Sequence, residues 1–538
     1  GLARTKTLVD EIRGSSSHPV VLYDGGDWMA GALFQLLAVS DAAELQIAEA
    51  IGYDAMTIGN HEFDWGPDVL GQMISTADGF GVSVPLIASN IVPDTADSGD
   101  DSLESHFDSG RIQSTRVDVL DNGVSIGLFG LVGDEAAGIT PGAAPTTFLA
   151  AADAAALAVE TLQAQNVDII IGLTHNGVGA DPATSADEVL ATEVPGIDVI
   201  VGGHSHTALD EPRTVGNTVI VQAGAYTRYL GQLDLVNDGP GWVVEAYTLH
   251  EIDDNILGDE QITSMVEGFL TSLDEGPLQE IGIAFDEPVA SIADDVVKEN
   301  CAETGLGDLI TDAYRESMNL VAEDPIDFAF ESQGVIRDDM MAGATGLQTF
   351  SDVFRVLPLG VGTDQVPGYA LVDFYVTADQ IKDTCEITAS ISPSYGCDYF
   401  VEMSGLRCTL NMEQSIFNRT RKVEVEEDGE WVELDTSSAN TELYHVAVDS
   451  YVASLMSILG DLTYDAIVIT PMTAQGEVIE DVDDMLFDAD PTTDGVQELK
   501  LWEALMQTAA SFEDTDGDGI EDVPESYNEG AGRLIGYE

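Results

Sequence analysis

Basic residues are scarce in this chain: 18 Lys and Arg stand against 98 Asp and Glu in 538 residues, a formal charge of −80. A nucleic-acid polymer is held by clustered Lys and Arg that release counterions, so no such partner is expected. Docking on an anionic membrane surface is disfavoured for the same reason. No apolar run approaches the roughly 18–20 residues a spanning helix needs, so no transmembrane segment is expected. Cysteine is sparse as well, and Cys301, Cys385, Cys397 and Cys408 all fall in the second half. None sits in a CxxC spacing, which argues against zinc, and disulfides in an oxidising compartment are expected with their pairing left open.

What the chain does hold is apolar: 44% of its residues are hydrophobic, too many for a disordered acidic tail. The acid therefore covers a real core. Such a surface suits high ionic strength, where salt screens self-repulsion, and a halophilic or marine source is expected. The length corresponds to roughly 3–4 units of about 150 residues, which large α/β domains reduce to two. The chain opens on Gly1 without a signal peptide, so its beginning reads as processed or clipped. Monomer and dimer remain equally open.

Short β-branched runs alternate with Ala/Leu-rich stretches over the first 250 or so residues. The runs are Val20–Tyr23, Ala55–Ile58, Val124–Leu131, Val167–Leu173, Val199–Val201 and Val219–Val221, and the helical candidates include Ala42–Ile51 and Ala150–Ala164. Uninterrupted apolar runs are the pattern of strands buried on both faces, and the alternation predicts a layered α/β domain. Polar clusters follow four of them: Gly25-Gly26-Asp27, Gly59-Asn60-His61-Glu62-Phe63-Asp64, His175-Asn176 and Gly203-His204-Ser205-His206. Ligands collect at the carboxyl ends of strands, so these clusters read as one site. Only eight histidines occur in the chain, and four of them lie here. Imidazole with carboxylate and amide oxygen suits divalent transition metals. Two such ions lower the pKa of a shared water and clamp the oxygens of an in-line phosphoryl transfer, with Asp27 as the natural bridge.

Those motifs, in that order, resemble the calcineurin-like metallophosphoesterases, and more narrowly the 5′-nucleotidase family with its UDP-sugar hydrolases. The likeness continues through Gly305-Leu306-Gly307-Asp308, Gly334-Val335-Ile336-Arg337, Leu357-Pro358 and Met403-Ser404-Gly405-Leu406-Arg407, to about Tyr451. It implies an α/β (α+β) architecture. A layered β-sandwich metallophosphoesterase domain flanked by helices covers residues 1–255 and is N-terminally incomplete. A linker helix follows over 256–282, then a mixed α/β substrate-binding domain over 283–510, and an acidic tail over 511–538.

By the same resemblance, Asp27 bridges two divalent cations (Zn, Mn, Co or Fe). Asn60, His175 and His204 hold one of them and His206 contributes to the other. His61, oriented by Asp64, stabilises the transferring group or protonates the leaving oxygen; Glu62 reads as a solvated or structural acid. Arg337 and Tyr451 bind substrate, expected to be a phosphate monoester or nucleotide. Leu359 stands where the family has an aromatic ring, and Leu455-Met456-Ser457-Ile458 replaces a Gly-Gly-Asp-Gly signature. The family's opening Asp-x-His is missing, so one metal site is expected to be incomplete. Asp514, Asp516 and Asp518 alternate ahead of Gly519 and resemble a calcium loop. An extracellular, periplasmic or cell-surface location is expected. A cyclic-nucleotide phosphodiesterase, a thiosulfohydrolase, or a surface or adhesion protein without turnover are the competing expectations.

Overall fold

The computed structural model describes residues 1–537 apart from 30, 238, 240, 428 and 429, with the backbone alone at 427, 457, 458 and 461. Apart from the segment Gly31–Leu33, two compact units divide at Pro277 and Leu278.

In the first unit, Tyr23–Asp24, Ala55–Thr57, Leu86–Ile87 and Ile112–Gln113 form a parallel four-stranded sheet in that order. A second sheet runs Arg213–Val215, Thr218–Val221, Val199–Gly202, Ile169–His175, Ser125–Val132, Thr115–Val119. Its four inner strands are parallel and its two edges antiparallel. Ala55, Ile87, Ile126, Leu128, Ile169, Ile171, Leu173 and Val199 interlock between the sheets. The outer faces are covered by helices, including Ala43–Ile51 and Pro67–Gly79 on one side and Ala151–Ala164 on the other. Each sheet is thus buried twice, which is why its strands read as unbroken apolar runs.

Most expected elements appear within a residue or two of their expected limits. Val20–Tyr23 is the exception, since pairing begins only at Tyr23. The amide of Leu22 is taken by the Asp54 carboxylate at 2.8 Å instead of by a neighbouring strand. The helix read as a linker, Glu260–Glu275, also differs. It buries Ile262, Phe269 and Leu273, and Phe269 meets Phe34 edge-on at 6.1 Å. The Thr7 hydroxyl of the helix Leu2–Ser15 bonds Leu257 O at 2.7 Å just ahead of it. Its apolar stripe makes it part of the first unit.

The second unit holds a mixed sheet ordered Leu371–Thr377, Leu443–Asp449, Phe328–Ser332, Val401–Ser404. The helix Gly305–Asn319, capped by the Thr304 hydroxyl at 3.1 Å from Gly307 N, belongs to the same unit. Disulfides join Cys301 to Cys397 and Cys385 to Cys408. The acidic tail is not a loose appendage. Leu534–Ile535 adds a parallel strand beside Cys408–Thr409, and Arg533 Nη2 donates to both Asp312 carboxylate oxygens at 2.8 and 2.7 Å, a charge-assisted contact.

Candidate metal centre

The four polar clusters converge because the strands that carry them form two parallel neighbouring pairs, one in each sheet, whose carboxyl-end loops meet. His175 closes the strand Ile169–His175, and His204 follows Val199–Gly202, its parallel neighbour. Asp27 follows Tyr23–Asp24, and Asn60 follows Ala55–Thr57, again parallel neighbours. The loops touch: a Cβ on Gly203 would sit 2.4 Å from Gly25 O, so only glycine permits the approach.

His175 Nε2 lies 2.8 Å from Asp27 Oδ2 and 3.0 Å from Asn60 Oδ1. Its Nδ1 faces Gly25 O at 2.8 Å, which fixes the ring with Nε2 turned inward. Donor atoms of Asp27, His175 and His204 fall within 4.8 Å of one another. One carboxylate, two imidazoles and an amide oxygen are a donor set that suits a divalent transition cation, so the residues fit the metal that the resemblance implies. Asp27, His204 and His206 all adopt left-handed backbone, with φ of 60°, 65° and 53°, the kind of local strain that gathers at functional sites. Burial opposes ionisation of Asp27, yet the His175 and His61 imidazoles hold its carboxyl well below the usual range.

His61 Nδ1 bonds Asp64 Oδ2 at 2.9 Å, and the His61 amide donates to Asp27 Oδ1 at 3.0 Å. Asp64 does not cap the following helix, whose N-cap is Gly66. His206 stands apart: its ring packs edge-on against Tyr226 at 5.2 Å, and it is outside the three-donor group found among the described residues.

Two further acids lie at this site. Glu62, read from the sequence as solvated or structural, is the structural acid: it is fully buried. Its carboxylate accepts the amides of Gly59, Met29 and Asp27 at 2.6, 2.9 and 3.0 Å, tying two loops together. Burial and the neighbouring Asp27 push it up to about 8. Glu135, on the short helix Asp134–Gly138 after the strand Ser125–Val132, reaches His204 Nε2 at 2.7 Å. The strand-end rule that found the histidines would have found it too.

In the second unit, Arg337 bonds Gly334 O at 3.1 Å, while its own amide holds Val356 O. Tyr451 stacks on Tyr369 with ring centroids 5.2 Å apart and planes 16° from parallel. Leu359, at the family's aromatic position, is buried, but Tyr369 N bonds Leu359 O, which sets a tyrosine beside it. In the tail, Asp514, Asp516 and Asp522 gather donor atoms within 4.8 Å. The expected third member, Asp518, lies outside that group.

Residues 1–208 match the calcineurin-like phosphoesterase family and residues 287–456 match the 5′-nucleotidase C-terminal domain. The trifunctional nucleotide phosphoesterase protein YfkN of Bacillus subtilis is 28% identical over 483 residues, covering 84% of this chain and 30% of that protein. A 5′-nucleotidase of Diplobatis ommata is 26% identical over 479 residues, covering 84% and 77%. The solved 5′-nucleotidase precursor of Thermus thermophilus superposes with a TM-score of 0.74 over 99% of this chain and 93% of that one, at 23% identity. This chain therefore belongs to the calcineurin-like phosphoesterases, in the two-domain form shared with 5′-nucleotidases. It spans under a third of the length of the Bacillus relative.

Proposed function

We propose that this chain hydrolyses phosphate monoesters, with nucleoside 5′-monophosphates or related nucleotides as substrates. The convergence of Asp27, His175 and His204 carries the reading, and the nucleotide phosphoesterase and 5′-nucleotidase relatives support it. Residues 1–255 supply the chemistry, and 283–510 supply recognition through Arg337 and Tyr451.

Asp27, Asn60, His175 and His204 hold one divalent cation, and Asp27 with His206 contributes to a second. Zinc, manganese, cobalt and iron all suit these donors, and when bound they provide an activated water and neutralise charge on the phosphoryl oxygens. His61 works beside them. With Nδ1 engaged by Asp64, its proton for the leaving oxygen sits on Nε2, and the carboxylate fixes the imidazolium in place. Among the described residues the first unit has one convergent three-donor group, so the chain as it stands retains one cation more tightly than the other. Two disulfides fit a location outside the reducing cytoplasm. The tail loop holds calcium through Asp514, Asp516 and Asp522.

Turnover of AMP, UDP-glucose, bis-p-nitrophenyl phosphate and a cyclic nucleotide, measured with manganese or cobalt, tests the assignment. AMP is expected to be the preferred substrate; inertness towards all four would leave a binding or surface protein on the same fold. Elemental analysis of the purified chain should find about one tightly held transition metal, and two at full occupancy would contradict the donor inventory.

A further inference from the structure

Behind the histidines lies a ring of polar groups, buried at Asp187, Thr174 and Gln222 and reaching the surface at Ser205. Asp187, on the helix Ala186–Glu193, is completely buried. Its Oδ1 accepts the Thr174 hydroxyl at 2.8 Å and the Asn176 amide at 3.2 Å, the two residues flanking His175. Gln222, 2% exposed, does the same for His204. Its Nε2 donates to Gly203 O at 2.8 Å, and its Oε1 accepts the Ser205 hydroxyl at 3.1 Å. The two halves are joined, since Gly203 N bonds Thr174 O at 2.8 Å and the Ser205 oxygen accepts Val178 N at 3.0 Å. Gly202 lies between them: a Cβ there would stand 2.7 Å from Asp187 Oδ2 and 3.6 Å from Gln222 Oε1.

We infer that Asp187 and Gln222 are positioning residues that set the separation of His175 and His204 before any cation arrives. Each grips the backbone or side chains on both sides of one imidazole, so neither strand end can shift without breaking two hydrogen bonds, buried at His175 and part-buried at His204. Leaving such groups unpaired is costly. His204 sits in left-handed backbone at φ 65°, a conformation that persists only where the surroundings over-determine it. The ring supplies that constraint. The inference rests on the proposed metal centre and names what makes it rigid.

The test is cobalt(II) titration of the full chain, followed by the visible absorption of the bound ion, with the melting midpoint of the metal-free protein measured in parallel. Asp187→Ala and Gln222→Ala should weaken cobalt binding roughly 10–100-fold and alter the band shape, by more than the accompanying fall in the metal-free midpoint accounts for. Asp187→Asn, which keeps the accepting oxygen, should recover most of the affinity. If Asp187→Ala does not fold, Gln222→Ala and Asp187→Asn decide the matter. Unchanged affinity and spectrum in folded variants would overturn the inference, as would losses that merely track a fall in the metal-free midpoint. A parent chain that shows no cobalt bands would instead overturn the metal centre itself.

Discussion

Tyr369 and Tyr451 stack face to face, 5.2 Å between ring centroids, although neither belongs to the first unit's polar clusters. A base that inserts beside them would gain stacking worth about 0.5–1.5 kcal/mol per ring beyond its buried area. Tyr451→Ala and Tyr369→Ala are each expected to raise KM for AMP by about 3–10-fold, with kcat little changed. Hydrolysis of p-nitrophenyl phosphate, which lacks the base, should be indifferent. Equal losses on both substrates would show that the pair serves folding alone.

His61 and Asp64 should separate by magnitude. His61→Ala removes the proton donor, and kcat is expected to fall by about 10²–10⁴-fold with cobalt affinity retained. Asp64→Asn keeps a bond to Nδ1 but lets the imidazole lose its charge more readily, so the acidic side of the bell-shaped kcat profile should keep its place and the alkaline limb move to lower pH. A variant of His61 with full kcat would remove it from the reaction.

A charge of −80 predicts a salt response. The screening length falls from about 10 Å at 0.1 M to about 3 Å at 1 M salt, so the melting midpoint should climb steadily with KCl over that range. Calorimetry that found a flat or falling midpoint would mean that repulsion among the carboxylates does not limit stability.

Glu402 provides a pH test in the second unit. Burial, reinforced by Asp308 and Glu303, pushes its carboxyl up to about 8 against the opposing bonds from Gln333 and Thr304. Its folded pKa exceeds its unfolded one, so the folded state binds the extra proton between those values. Stability from this group is fully present below the unfolded pKa and is lost as pH rises towards 8. Denaturant midpoints should therefore decline from pH 5 to pH 8, and Glu402→Gln should flatten that decline. A variant with the parent's slope would assign the effect to other groups.

The calcium reading has its own discriminating variant. Asp516→Ala should lower the melting midpoint in calcium and leave it unchanged in chelator, because Asp522 is also held by Ser291 and Thr515 without any ion. An equal drop in both buffers would make Asp516 a turn residue only.

The chain's own order of residues was enough to set the layered α/β architecture and the strand-end clusters. Doubly buried strands must be apolar along their whole length, and the glycine-rich loops that follow them have few alternatives to the sheet edge. His61, Asn60, His175 and His204 were legible for that reason. Only the folded chain could show that Glu62 spans two loops, that Glu135 reaches His204, or that Asp187 and Gln222 close a ring behind the histidines. These are isolated acids and amides whose partners lie far away along the chain, and in a sequence with 98 acidic residues no local pattern marks them out. The same holds for Tyr369, which a backbone hydrogen bond sets beside Leu359, and for Arg533, which makes the acidic tail part of the domain. Periodicity and loop composition are written locally; which buried polar group meets which depends on register and packing across the whole fold.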